Sequence, residues 1–156
     1  MKRLYVLVLC AVCLTACGKS VHSADPITQC VRASVTAEQG EEEYRLDVEK
    51  DSDEVATYTF SYPESVKGLS YSYLGDDCTV SFHGLTLSLS DCPNGVADLL
   101  HEILTAEEPP LYQNETKSYS GSTENLSYRM FTLSDGNISV IRLDNPQICY
   151  YFNYTP

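Results

Sequence analysis

The sequence predicts a mainly β (α+β) fold, built as a strongly curved antiparallel sheet or unclosed β-barrel of about ten strands with one helix. Apolar and polar residues alternate with a period of two along most of the chain after about residue 29, which is typical of strands with one buried face. Only one segment has helical periodicity. Ten strands at ~4.8 Å spacing make a sheet about 48 Å wide. One helix cannot cover such a face, so we expect the sheet to curl, to find another cover or to leave a groove.

The first half of the domain is predicted to be a series of strands joined by turns. Polar segments, Pro63 and Gly75-Asp76-Asp77 separate the alternating runs. His83-Gly84 favours a tight hairpin, because in that register Phe82 faces Leu85 and the apolar side chains stay on one face. The alternating runs are 31–36, 44–49, 57–62, 69–73, 78–82 and 85–89.

One helix is predicted after Pro93-Asn94-Gly95, where apolar residues recur at the spacing of a single helical face. Asp91 or Asn94 is placed to cap its start, and Pro109-Pro110 follows its end. That face consists of Val96, Leu99, Leu100, Ile103 and Leu104. Three or four further strands are predicted, the segment 117–120 having the weakest alternation, and Asp135-Gly136 is the hairpin signal between 126–134 and 137–144. They cover 117–120, 126–134, 137–144 and 148–154.

The N-terminus has the pattern of an export signal. Lys2 and Arg3 precede the apolar run Leu4–Leu14, which is shorter than the roughly 20 residues that a spanning helix needs. Leu14-Thr15-Ala16-Cys17 resembles the lipobox of bacterial lipoproteins. The resemblance implies cleavage before Cys17, a lipid on its sulfur and a place on the extracytoplasmic face of a bacterial cell membrane. The alternative is an ordinary signal peptide with an incidental cysteine.

These features divide the chain into three parts: a lipoprotein signal peptide (1–16), a lipidated Cys17 with a polar tether (17–28), and a single β-rich domain (29–156). The formal net charge is −12, from 10 basic and 22 acidic residues. This balance argues against nucleic acid as a partner and against electrostatic binding to anionic lipid. We therefore expect the protein to be attached to the membrane by the lipid on Cys17. Two acyl chains hold a protein stably on a membrane, whereas a single chain does not.

The order of strands, a central helix and further strands, together with the ending Ile138–Ile148 (ISVIRLDNPQI), resembles lipoproteins of the LolA/LolB-like group over about residues 29–154. The resemblance implies an unclosed half-barrel with a helical lid. Carriers of this group hold acyl chains inside the half-barrel. For a chain with a lipobox, the resemblance implies a membrane-anchored acceptor or sensor.

The sequence contains no recognisable catalytic or metal-binding motif. His22 lies in the tether, His83 in a predicted turn, and His101 on the helix, where we expect its solvated side. HExxH and GxSxG are absent, so we predict no enzyme, no cofactor and no metal site. A hydrolase whose catalytic residues come from several Ser-rich strands is kept as an alternative to the non-catalytic functions given below. The acidic runs 41–43 and 51–54 are interpreted as solubilising turns, with weak Ca²⁺ binding left open.

Four cysteines remain after Cys17, and export makes disulfides possible. Cys30 and Cys149 fall on the polar face of the first and last strands, whereas Cys78 faces the apolar side ahead of Cys92. Of the three possible pairings we favour Cys30–Cys149 with Cys78–Cys92. Four reduced, buried thiols are the alternative.

The candidate site is an apolar groove formed mainly by aromatic side chains. Such a set is either plain core or a concave surface for an acyl chain or hydrophobic peptide. Its hydroxyls need partners or water, which favours a partly wet face. We therefore predict a non-catalytic protein that binds a hydrophobic or amphipathic ligand. The alternative is an envelope protein-protein interaction or structural module without a small ligand. The groove residues are Tyr58, Phe60, Tyr62, Tyr71, Tyr73, Phe82, Leu99, Ile103, Tyr150 and Phe152.

Overall fold

A computed structural model describes residues 30–52, 55–75, 77–90, 92 and 95–154. These residues form one antiparallel sheet of eleven strands and one helix, α1 (Val96–Leu104). The strands are β1 (Val31–Gln39), β2 (Glu42–Lys50), β3 (Val55–Tyr62), β4 (Ser70–Leu74), β5 (Asp77–Phe82), β6 (Leu85–Leu89), β7 (Leu111–Gln113), β8 (Ser118–Ser122), β9 (Ser127–Thr132), β10 (Ile138–Asp144) and β11 (Gln147–Asn153).

The strand order in the sheet is β6-β5-β4-β3-β2-β1-β11-β10-β9-β8-β7. Each half is a meander of sequence neighbours, and the pairing of β1 with β11 joins the halves, with Val35 opposite Phe152. β6 and β7 are the two edges. The mainly β prediction with one helix is confirmed, and the strand beyond the expected ten is β7. The sequence does not signal β7, because it has only three residues and follows two prolines.

One face of the sheet packs against α1 to form the core. Alternate residues along each strand point to this face, so Val35, Leu46 and Ile141 are fully buried while their chain neighbours are not. The predicted helical face is confirmed, although Leu99 is only half-buried. The buried helical residues are Val96, Ala97, Leu100, Ile103 and Leu104.

The hairpin predicted at His83-Gly84 is confirmed in its register. Phe82 pairs with Leu85, and Val80 pairs with Leu87. Both turn residues have positive φ, 50° at His83 and 81° at Gly84, as a two-residue hairpin turn of this hand requires. The second predicted hairpin also forms, with a longer loop over 133–137 in which Gly136 has φ 90°.

The N-cap of α1 is Gly95, which has no side chain to cap the helix. The predicted caps Asp91 and Asn94 lie outside the described residues, as do the signal peptide and the tether. Within the described ranges, no helix is long and apolar enough to cross a membrane.

Candidate functional site

α1 covers only part of the apolar face and leaves this face uncovered at one side of the sheet. A row of paired residues crosses five strands there, from Val48 through Tyr58, Tyr71 and Val80 to Leu87. Val48 and Tyr58 are buried, Tyr71 and Val80 are half-buried, and Leu87 is 61% exposed. Burial therefore decreases steadily from β3 to β6.

The uncovered part of this face is called the apolar floor. A helix of nine residues is about 13.5 Å long, so it cannot reach across eleven strands. The consequence is greatest at β6, where Leu85 is 78% exposed. The apolar floor consists of Tyr71, Val80, Phe82, Leu85 and Leu87.

Beside the floor, α1 is fixed to the sheet by three tyrosine hydroxyls. The Tyr150 hydroxyl donates to the carbonyl oxygen of Val96 at 2.9 Å, and the Tyr73 hydroxyl donates to Asp98 Oδ1 at 3.1 Å. The Tyr58 hydroxyl shares a hydrogen bond of 3.1 Å with Nδ1 of His101. Each hydroxyl belongs to a ring on the apolar face and satisfies its polar atom on the helix, as buried tyrosines require.

Burial changes the acid–base properties of this contact. It lowers the pKa of His101 to about 4, and the charge of Lys50 acts in the same direction. Burial also raises the pKa of Asp98, an effect that the hydrogen bond from Tyr73 opposes. The pKa values of the Tyr58, Tyr73 and Tyr150 hydroxyls are raised by burial as well. At neutral pH the imidazole and the phenols are uncharged hydrogen-bonding groups.

The expectation that His101 faces solvent is wrong. Its ring packs between Tyr73 and Tyr58, because α1 turns that side of the helix toward β3 and β4. Sequence reasoning also missed Lys50, which is fully buried. Its position two residues after Val48, in an unbroken alternation, is the signal that places it on the apolar face.

The predicted groove residues divide into three groups. Tyr71 and Phe82 belong to the apolar floor. The second group, Leu99 and Tyr62, lies outside both the floor and the core. Leu99 is half-buried. A bulge in the β2–β3 pairing places Tyr62 opposite Arg45, whose guanidinium lies 5.3 Å from the Tyr62 ring centroid. The others lie within the core, on α1 itself, under it or in the strands around it: Tyr58, Phe60, Tyr73, Ile103, Tyr150 and Phe152.

Two clefts lie at the ends of α1. The cleft at its C-terminal end has a volume of about 780 Å³ and a polar, acidic lining that includes Glu102, Glu107 and Glu124. The cleft at its N-terminal end has a volume of about 560 Å³, and its lining includes Leu99, Leu126 and Pro146. Leu99 is thus the predicted groove residue that lines a cleft beside the helix.

One of the two predicted disulfides is present. Cys78 and Cys92 are bonded, and this bridge ties the segment before α1 to β5. The predicted Cys30–Cys149 bridge is wrong, and both thiols are free. Cys149 pairs with Glu38 of β1. Glu38 lies eight residues along the chain from Cys30, so the two cysteines are about 26 Å apart. The Cys30 thiol instead donates to the carbonyl oxygen of Asp51.

Within the described ranges, no group of three or more His, Cys, Asp or Glu side chains is arranged to hold a metal ion. Several acidic side chains pair with arginines at the surface. Asp51 lies 3.1 Å from Arg32, and Glu43 lies 2.8 Å from Arg45.

Comparison with known proteins gives similarity of fold alone. No family model and no curated protein matches the chain. An uncharacterised conserved protein from Thermus thermophilus is similar over 83% of both chains, with a TM-score of 0.50 and 11% identity. A LolA superfamily protein from Nitrosomonas europaea is similar over 87% of this chain and 90% of its own, with a TM-score of 0.46 and 12% identity.

Proposed function

We propose that this protein is a non-catalytic lipoprotein, anchored to the extracytoplasmic face of a bacterial cell membrane, that binds a lipid or lipoprotein acyl chain on the apolar floor. The observation that carries the proposal is the exposure of this floor. Leu85 and Leu87 lie on the same face as the core, yet most of their surface meets solvent. Exposed apolar surface that continues from a core is a mark of a binding site.

The apolar floor has dimensions that suit an acyl chain. From Leu87 across Val80 to Tyr71, it spans three strands, about 10 Å between the outer two. Burial of one methylene contributes about 0.8 kcal/mol, so a chain that buries eight gains about 6 kcal/mol before the cost of ordering the ligand. That gain suits reversible binding. A polar headgroup would remain beyond the floor, in solvent.

The contacts of α1 support a curved, unclosed sheet with the floor on its concave side. Asp98 accepts a hydrogen bond from Tyr73 in β4, and Glu102 accepts one from Thr123, which follows β8. β4 and β8 are seven strand steps apart, which is about 34 Å in a flat sheet. Asp98 and Glu102 are four residues apart on the helix, a distance of only ~6 Å, so in a flat sheet they could not contact both strands at once.

The state of the polar groups under α1 favours binding over catalysis. Nδ1 of His101 is engaged by Tyr58, and the low pKa of the imidazole keeps it neutral. The tyrosine pKa values are raised, which disfavours phenolate nucleophiles. These groups fix the helix in place, and the floor beside it supplies apolar surface for a ligand.

The lipid anchor is the part of the proposal that rests on residues 1–28, which lie outside the described residues. A diacylated Cys17 would keep the domain within reach of membrane lipids. The ligand would then come from the same membrane or from another lipoprotein on it.

Titration with a fluorescent long-chain fatty acid tests the proposal. The chain from Gly18 onward is first checked for β-sheet structure by circular dichroism. We expect the double substitution Leu85→Ser/Leu87→Ser to raise Kd about tenfold, since two exposed leucines lose part of their contact with the ligand. Leu111→Ser is the matched control, because Leu111 is 69% exposed on β7, the opposite edge. Equal binding by all three proteins would contradict the proposal.

A second candidate function is an envelope interaction or structural module without a small ligand. The open edge at β6 favours it, because an unpaired strand accepts a partner strand. Absence of fatty-acid binding, together with a defined protein complex on detergent extraction, would select this function.

A further inference from the structure

The two edges of the sheet differ in how they are protected. β7 has three residues and is preceded by Pro109 and Pro110, which interrupt pairing. β6 is a regular five-residue strand, LTLSL, without proline or charge. Among the described strands, none pairs with its outer side. Natural sheets rarely leave such an edge open without a function for it.

The hairpin sets which backbone groups of β6 are available. A two-residue turn closes on a hydrogen-bonded pair, so Leu85, Leu87 and Leu89 direct their N–H and C=O groups toward β5. The N–H and C=O groups of Thr86 and Ser88 therefore point away from the sheet. The side chain of Thr86 contacts Ser81 at 3.3 Å, as expected of a non-hydrogen-bonded neighbour pair.

We propose that β6 pairs with β6 of a second copy of this chain, antiparallel and centred on Leu87, to form a two-fold symmetric dimer. In this register Thr86 of each copy lies opposite Ser88 of the other, and both residues have outward backbone groups. Each such pair exchanges two hydrogen bonds. Leu85 lies opposite Leu89 and Leu87 opposite its own copy, so the strand is complementary to itself on both faces.

Charge also favours a second copy at this edge. Because the net charge of the chain is −12, two copies repel each other over most of their surfaces. The stretch from Cys78 to Ser90, which contains most of β5 and all of β6, has no Asp, Glu, Lys or Arg. The edge is therefore a place where two copies approach without bringing like charges together.

The dimer would join the apolar floors of the two copies. Their leucines lie on the same face, so pairing places Leu87 beside Leu87 of the second copy while the floor remains open to a ligand. The pairing does not depend on the proposed lipid binding. A five-residue strand is about 17 Å long, so this contact is shorter than a standard interface, and we expect a reversible dimer.

A cysteine at position 87 traps such a dimer, because a non-hydrogen-bonded pair across the axis brings the two Cα atoms to about 4.5 Å, within disulfide range. The full chain is expressed in bacteria with Cys30→Ser and Cys149→Ser, which removes the two free thiols of the described ranges. Membranes are oxidised with copper phenanthroline and analysed on a non-reducing gel. We expect most of the Leu87→Cys protein to migrate as a homodimer.

Leu111→Cys in the same background is the matched control on the opposite edge, and the background without an added cysteine sets the baseline. We expect at least fivefold less dimer from both. Ser88→Pro added to Leu87→Cys removes an outward N–H and is expected to reduce the yield about fivefold, whereas Ser88→Ala leaves it unchanged. Equal trapping at 87 and 111, full yield with Ser88→Pro, or a mixed disulfide with another protein without homodimer would each overturn the proposal.

Discussion

The imidazole of His101 stacks on the ring of Tyr73, with ring centroids 3.6 Å apart and an interplanar angle of 16°. The same imidazole meets Tyr58 edge-on and hydrogen-bonds its hydroxyl. His101 thereby connects α1 to both β3 and β4, at the boundary where the buried core gives way to the apolar floor. Together with the hydrogen bonds from Tyr73 and Tyr150, this contact holds the helix over the sheet beside the apolar floor.

Acidification is expected to weaken the fold through His101. Its pKa is about 4 in the folded protein and about 6.5 without burial, so the folded state favours the neutral ring. The stabilisation is therefore complete above about pH 6.5 and is lost as the pH falls toward 4. With solvent screening of the partly exposed ring taken into account, we expect a loss of about 1–2 kcal/mol, measured by urea denaturation at pH 7 and pH 4.5.

The non-titrating variant His101→Gln isolates this effect. Asp98 has a raised pKa and acts with the opposite sign, since its folded state favours the proton, and the charges of Lys50 and Glu102 lie nearby. The comparison is therefore the difference in acid loss between wild type and variant. His83→Gln, in the exposed turn, should behave as wild type. An identical pH dependence in wild type and His101→Gln would show that His101 makes no such contribution.

The Tyr150 hydroxyl is expected to contribute to stability, because it donates to the Val96 carbonyl in the first turn of α1. Tyr150→Phe removes one buried hydrogen bond while keeping the ring. We expect a decrease of about 1 kcal/mol in the free energy of unfolding, measured by urea denaturation. Tyr112→Phe, in the exposed edge strand β7, should change it by less than about 0.5 kcal/mol. Equal effects of the two substitutions would contradict this account.

Reduction is expected to destabilise the domain through the Cys78–Cys92 bridge alone. The bridge closes a loop with a sequence separation of 14, for which chain entropy predicts about 3 kcal/mol. Dithiothreitol should lower Tm in the wild type and have little effect in Cys78→Ser/Cys92→Ser. Cys30→Ser/Cys149→Ser should keep the full response to dithiothreitol, since neither thiol is bonded. A response that disappears in this second variant would contradict the assignment.

Local chemistry determines the features that the sequence predicts correctly. The register of β5 and β6 follows from a two-residue turn at His83-Gly84 and from alternation on either side. The bonded pair Cys78 and Cys92 is close in sequence and lies at one end of this hairpin. The apolar face of α1 follows from its period alone.

Non-local geometry determines the features that the sequence does not predict. The failure of the Cys30–Cys149 pairing depends on the register between the first and last strands, which places Glu38 opposite Cys149. The burial of His101 depends on how α1 rotates over β3 and β4. The division of the aromatic set into core and floor depends on where a short helix comes to lie, so Leu85 and Leu87 outweigh several of the aromatic residues as candidate contacts.

The lipid anchor makes a prediction about covalent chemistry at Cys17. If the lipobox is functional, the mature chain begins at Cys17, and the mass of its N-terminal peptide exceeds that of the sequence by a diacylglyceryl group. Two acyl chains bury enough methylenes to carry an acidic domain into a detergent phase or a membrane pellet. Cys17→Ser should lack the acyl mass in every form of the protein, whereas Cys30→Ser should retain it. A wild-type N-terminal peptide that begins after position 17, or that begins at Cys17 without added mass, would contradict the anchor and leave an ordinary secreted domain.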